Sequence, residues 1–141
     1  MTRKKHPKKK ILFVCIGNMC RSQMAEGFAR SIGGDLVEAY SAGTNPTGLV
    51  SEKTIAAMKE KGIDISGQHS KSLEEVSLEE MDIVVSMAGW SAEQLCPSSC
   101  HAQKLDWYVE DPIGRTMDRF RMTRDELEEK VKRLLESIWK G

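Results

Sequence analysis

Cys15-Ile16-Gly17-Asn18-Met19-Cys20-Arg21-Ser22 follows the apolar run Ile11-Leu12-Phe13-Val14 and precedes Gln23-Met24-Ala25-Glu26-Gly27-Phe28-Ala29-Arg30. The first piece reads as a buried strand, the last as a helix, and the eight residues between them as a tight loop. A loop that ends in a helix N-terminus wraps an oxyanion, because its backbone N–H groups point inward and the helix dipole favours negative charge. Cys15 lies at the base of that field, which stabilises a nucleophilic thiolate near neutral pH. Arg21, six positions on, offers a planar fork of donors that matches two oxygens of a tetrahedral anion. Cys15 to Ser22 therefore form a candidate oxyanion-binding loop (Cys15, Ile16, Gly17, Asn18, Met19, Cys20, Arg21 and Ser22). C-x5-R alone is a loose pattern. The strand before it, Gly17 and Asn18 within it, and Ser22 and a helix after it give it meaning.

The remaining chain extends the same architecture. A strand is expected over 10–16, a helix over 20–32 stopped by Gly33-Gly34, and a short strand over 35–41. A loop of Gly, Pro, Thr and Asn leads to a helix capped by Ser51, ending near Lys61 and Gly62. Ser72 opens a helical turn. Further strands are expected over 81–87 and 102–107, with a short helix over 91–95 between them. Thr123 is expected to cap a long final helix reaching Trp139, with Leu127, Val131, Leu134, Leu135 and Ile138 on one face. Alternating strands and helices predict an α/β, doubly wound three-layer sandwich around a mostly parallel sheet. With the first strand central, the Cys15 loop falls at the switch point where such folds bind ligands.

The 141 residues suit one domain, expected over 10–141 behind a disordered basic tail over 1–9. The chain carries 21 basic and 21 acidic residues. Arg3, Lys4, Lys5, Lys8, Lys9 and Lys10 are six of the basic ones, so the remainder holds 15 basic against 21 acidic residues, a balance of −6. The tail reads as a solubilising extension, since no aromatic or second basic cluster supports a nucleic-acid or membrane surface. The run Ile11–Ile16 is too short to span a membrane or to form a signal-peptide core. A cytoplasmic monomer is expected. In that setting the four cysteines, Cys15, Cys20, Cys96 and Cys100, are more often catalytic or metal-binding than stapled.

The loop resembles that of the low-molecular-weight protein tyrosine phosphatase family, and more closely its thioredoxin-coupled arsenate reductase branch. The resemblance begins at Ile11 and runs nearly to the C-terminus. Gln23-Met24-Ala25-Glu26-Gly27 follows the reductase style, where phosphatases usually place proline after the serine. Ser41-Ala42-Gly43-Thr44 and Gly62-Ile63-Asp64-Ile65-Ser66 do likewise. Glu110-Asp111-Pro112 stands where the family keeps its general acid, and Ile113-Gly114 replace the tyrosine pair common in phosphatases. The resemblance implies a phosphatase-type fold with a four-stranded sheet, Cys15 as nucleophile and Arg21 as clamp. It implies Asn18 as the support of a strained loop, helped by Ser41. Ser22 would donate to the thiolate, and Asp111 would act as the acid. It implies arsenate as substrate, with phosphotyrosine or an aryl phosphate as the alternative; a non-catalytic anion-binding module is a third possibility. No bound cofactor or metal is implied; thioredoxin or glutaredoxin/glutathione would be the reductant.

One departure bears on the chemistry. Thioredoxin-linked members keep a cysteine at the end of the third strand and another several residues later, before a proline. Here Ala88 occupies the first place, Cys96-Pro97 matches the second, and Cys100 is additional. Three readings of this pair stay open: a rearranged relay with Cys96 attacking Cys15 and Cys100 resolving, inert small apolar side chains, or zinc ligands with His101. Cys20 is a candidate for a reversible disulfide that shields Cys15 from over-oxidation. Trp107 and Tyr108, just ahead of Asp111, are candidates for the wall of a pocket.

Overall fold

The computed structural model describes residues 8–96 and 100–140. Strand β1 (Lys9–Cys15) lies inside a four-stranded parallel sheet of order β2-β1-β3-β4, with β2 at Val37–Gly43, β3 at Ile83–Ser86 and β4 at Gln103–Asp106. Ile11, Leu12, Phe13 and Val14 are fully buried. Their continuous apolar character reflects burial on both faces of the sheet. Successive side chains serve opposite sides. Ile11, Phe13 and Cys15 join a core with helices α1 (Arg21–Gly33), α2 (Glu52–Lys59) and α4 (Met117–Lys140). Leu12 and Val14 join a smaller core with α3 (Ala92–Leu95) and the 73–80 turns.

The chain leaves β1 for β2 on one side and later crosses to β3 on the other. The C-terminal end of β1 is therefore the switch point of the sheet, and the Cys15 loop sits there. Gly43 closes β2 against that loop. A Cβ on Gly43 would stand 2.6 Å from the Ile16 carbonyl oxygen, so the close approach needs glycine.

Several boundaries differ from expectation for identifiable reasons. β1 begins at Lys9, one residue inside the segment expected to be a disordered tail; residues 1–7 of that segment lie outside the described residues. A 3-10 turn over Gly34–Leu36 delays β2 to Val37. The expected cap at Thr123 falls within α4, which starts six residues earlier at Met117. Thr123 Oγ1 instead donates to the Glu110 carbonyl at 3.4 Å and ties the helix to the loop before Asp111. Ser72 opens its helical turn with a capping box and Ser91 completes another, whereas Ser51 takes the N-cap position of α2 (Glu52–Lys59) without a side-chain cap hydrogen bond. Among the described residues no helix is long and apolar enough to cross a membrane.

Candidate active site

The loop is held from outside by its carbonyl groups. The Cys15, Ile16, Gly17 and Met19 carbonyls accept from the N–H groups of Thr44, Asn45, Thr47 and Ser51, at 2.8–3.1 Å. The Asn18 carbonyl accepts from Gln23 Nε2 at 3.0 Å. A trans peptide directs the following N–H opposite to its carbonyl. With five consecutive carbonyls turned outward, the N–H groups of Ile16 to Cys20 face the other way. That side is a cavity of about 210 Å³ lined by Cys15, Gly17, Met19, Cys20, Arg21 and Asp111, among others.

Asn18 makes this turn possible. It has a φ of 48°, the only positive value for a non-glycine among the described residues. Asparagine tolerates that region best among residues with a side chain. Its amide is held at both atoms: Oδ1 accepts from the Lys71 backbone N–H at 2.8 Å and from Gln23 Nε2 at 3.0 Å, and Nδ2 donates to Ser22 Oγ at 2.7 Å. Ser22 Oγ in turn lies 2.9 Å from Cys15 Sγ. Ser41 does not help Asn18 directly, as the resemblance implied. Its hydroxyl donates to the buried carboxylate of Glu26 at 2.5 Å.

Arg21 opens α1 and is 6 % exposed. Nη1 donates to the Met87 and Val109 carbonyls at 2.8 and 3.0 Å, which fixes the guanidinium plane from behind. The other edge carries Nε, a buried donor with no acceptor among the described residues, and Nη2, 3.7 Å from Asp111 Oδ2. An unpaired buried N–H beside a ring of backbone donors fits two oxygens of a tetrahedral oxyanion. Asp111 stands at the mouth, its carboxylate about half exposed, with Oδ1 accepting from the Ile113 N–H at 3.0 Å. A second cavity of about 450 Å³ shares Ile16, Arg21 and Asp111 with the first and is walled by Trp90, Trp107 and Tyr108. Trp107 also packs on Phe13, with ring centroids 5.8 Å apart, so it serves both core and wall.

The cysteines are not equivalent. Burial pushes the Cys20 thiol up to about 12. Cys96 is likewise pushed up to about 12, by burial first and then by the neighbouring Cys100 thiol. Cys96 and Cys100 pack in the smaller core, on the side of the sheet away from the Cys15 cluster, and neither lines either cavity. Cys100 is buried, its thiol 3.7 Å from the Leu78 carbonyl. All four cysteines are free thiols. Among the described residues no three His, Cys, Asp or Glu side chains gather as a metal site; Pro97 lies outside the described residues.

Residue patterns missed the shell behind the loop. Gln23, Glu26, Gln68 and Lys71 interlock beneath Asn18, and Lys71 is lowered by burial although Glu26 draws it back. The available signal was two polar residues, Gln23 and Glu26, one turn apart on a helix whose first nine residues are buried.

A parallel α/β sheet with a cysteine-arginine oxyanion loop at its switch point defines a cysteine-dependent class of enzyme. The family model described as low molecular weight phosphotyrosine protein phosphatase matches residues 10–141, and the chain belongs to that family. It is 39% identical over 132 residues to a protein of Synechocystis named glutaredoxin arsenate reductase, covering 92% of this chain and 98% of that one. A solved structure described as an arsenate reductase in the phosphate binding state is 40% identical, with a TM-score of 0.83, covering 92% of this chain and 98% of its own. The YwlE arginine phosphatase from Geobacillus stearothermophilus is 28% identical with a TM-score of 0.81, covering 94% of both chains.

Proposed function

We propose that this protein is an arsenate reductase that works through a covalent intermediate on Cys15. The observation that carries the reading is the Arg21 Nε donor, buried beside the Cys15 loop and without an acceptor among the described residues. The likeness along nearly the whole chain to arsenate reductases directs the oxyanion assignment to arsenate.

The Cys15 thiolate attacks arsenic while Arg21 and the loop N–H groups hold the oxygens. Asp111 protonates a departing oxygen, which leaves as water, and a sulfur–arsenic(V) bond forms. A second thiolate then attacks Cys15 Sγ. The sulfur–sulfur bond forms, the sulfur–arsenic bond breaks with its electron pair moving to arsenic, and arsenite leaves. Two thiols have become one disulfide and As(V) has become As(III). Glutaredoxin with glutathione, or thioredoxin, restores the thiols. Cys96 is the second thiol and Cys100 its resolving partner in this scheme, and their place in the smaller core requires both thiols to move toward Cys15.

The 450 Å³ cavity favours a second reading. Arsenate itself needs no room beside the oxyanion loop, whereas the aromatic-walled space next to Arg21 and Asp111 suits the leaving group of an aryl phosphate. The test is multiple-turnover arsenite production, run with each reducing system and NADPH. Arsenate-dependent NADPH oxidation establishes the reductase. Its absence in a protein that cleaves an aryl phosphate assigns a phosphatase.

A further inference from the structure

Gln23 is fully buried at the start of α1, and each hydrogen bond it makes has a fixed direction. Its amide nitrogen donates to the Asn18 carbonyl and to the His69 carbonyl, both at 3.0 Å, and carbonyls accept only. The same nitrogen donates to Asn18 Oδ1 at 3.0 Å. Asn18 is fixed in turn because Oδ1 accepts from the Lys71 backbone N–H, which leaves Nδ2 for Ser22. Ser22 Oγ accepts from that nitrogen, so its own proton is free for Cys15 Sγ.

The order continues outward. Gln68 Nε2 donates to the Gln23 carbonyl at 3.1 Å and to Gln23 Oε1 at 2.7 Å. Gln68 Oε1 accepts from Arg30 Nη1 at 3.1 Å, and a guanidinium only donates. Every amide orientation follows from a partner that can play only one role.

We propose that Gln23 is a positioning residue for the Cys15 thiolate, the central link of a hydrogen-bond chain of single polarity from the Arg30 guanidinium through Gln68, Gln23, Asn18 and Ser22 to the sulfur. Each donor in such a chain polarises the next, and the sequence ends with a hydroxyl proton directed at the anionic sulfur. Gln23 acts twice, since it also bonds the carbonyl of the left-handed Asn18. Glutamine at this place therefore has a function that proline cannot supply, because only a side-chain amide reaches Asn18 and Gln68 together. The proposal rests on Cys15 being the nucleophile.

The experiment is the rate of Cys15 alkylation by iodoacetate at pH 7, read by peptide mapping, with and without inorganic phosphate. Gln23→Met keeps the volume and removes the amide. It should slow Cys15 labelling about tenfold, the loss expected for a buried hydrogen bond to a charged network. Arg30→Met should slow it about twofold. In a Ser22→Ala background, where the chain is cut before the sulfur, Gln23→Met should have a clearly smaller further effect, the part that passes through the Asn18 carbonyl. Equal slowing in both backgrounds, or wild-type labelling of Gln23→Met, overturns the proposal. Should Gln23→Met not fold, Gln68→Met and Arg30→Met decide by the same two criteria. If the wild-type protein shows no phosphate-protected labelling of Cys15, the nucleophile reading falls and the proposal with it. A proposal that fails alone leaves wild-type labelling intact.

Discussion

Two cysteine-bearing segments lie at the C-terminal ends of neighbouring strands, and they are built in opposite ways. The Cys15 loop after β1 has five carbonyls tied to its surroundings, a left-handed Asn18 fixed by three donor–acceptor contacts, and a buried arginine clamped from behind. The segment after β3 is held in part by bonds among its own residues and to β4. Ser86 Oγ bonds the Trp90 carbonyl, Asp106 accepts from the Ala92 N–H at 2.8 Å, and α3 is only four residues long. The first segment is preorganised, which oxyanion binding rewards. The second holds its thiols in an apolar layer where Cys96 stays protonated at neutral pH. A relay through Cys96 therefore demands motion as well as chemistry, whereas attack by Cys15 demands none.

The largest expected effect breaks the rigid side. Cys15→Ser should abolish both arsenite production and aryl phosphate cleavage while retaining phosphate binding, measured by titration calorimetry. Residual turnover above background would place the nucleophile elsewhere. Cys96→Ser tests the segment after β3. It should remove arsenate turnover and leave aryl phosphate kcat/KM within about twofold, since Cys96 lines neither cavity. Full arsenite production by this variant would sink the relay.

Asp111 stands between the two segments, and a smaller effect is expected there. Asp111→Asn should lower kcat for aryl phosphates by about 10²-fold, the usual worth of a general acid. The loss should shrink as the leaving phenol becomes more acidic, which steady-state kinetics across a series of substituted phenyl phosphates would measure. A loss independent of the phenol would assign Asp111 a role in holding Arg21, 3.7 Å away, instead of one in proton transfer.

The contrast also sets what could be read from residues alone. The candidate oxyanion loop was legible because its parts are local: strand, loop and helix are contiguous, and Cys15, Arg21 and Ser22 lie within eight residues. The sheet was legible because β1 and β3 are buried on both faces and carry unbroken apolar runs. The support of Asn18 was not, because Gln68 and Lys71 arrive from 50 and 53 residues away, and only the fold joins them. The start of α4 was hidden for a similar reason. Thr123 matches an N-cap pattern, yet the helix begins six residues earlier because Met117 and Phe120 pack into the larger core. The sidedness of Cys96 and Cys100 was hidden because it depends on how the chain turns after β3.

The smallest effect concerns the frame behind the rigid segment. Glu60 follows α2 and joins it to α4 through Arg121 at 2.9 Å and Arg124 at 2.6 Å. Hydrogen bonds from these two guanidinium groups, Arg121 first, lower its carboxyl from an ordinary 4.5 to about 2. A depressed folded-state value means that the ionised carboxylate favours the folded chain. That contribution is complete above pH 4.5 and is lost as pH falls from 4.5 through 2. Glu60→Gln should therefore lower the thermal midpoint slightly at pH 7, and the gap from wild type should close on acidification and vanish near pH 2. Solvent screening at this exposed site keeps the gap small and makes it shrink in high salt. Because the hydrogen bond that ties α2 to the oxyanion loop lies at its N-cap, where the Ser51 N–H meets the Met19 carbonyl, loosening its far end should leave kcat/KM unchanged. A fall in kcat/KM would show instead that the rigidity of the Cys15 loop extends through α2 to α4.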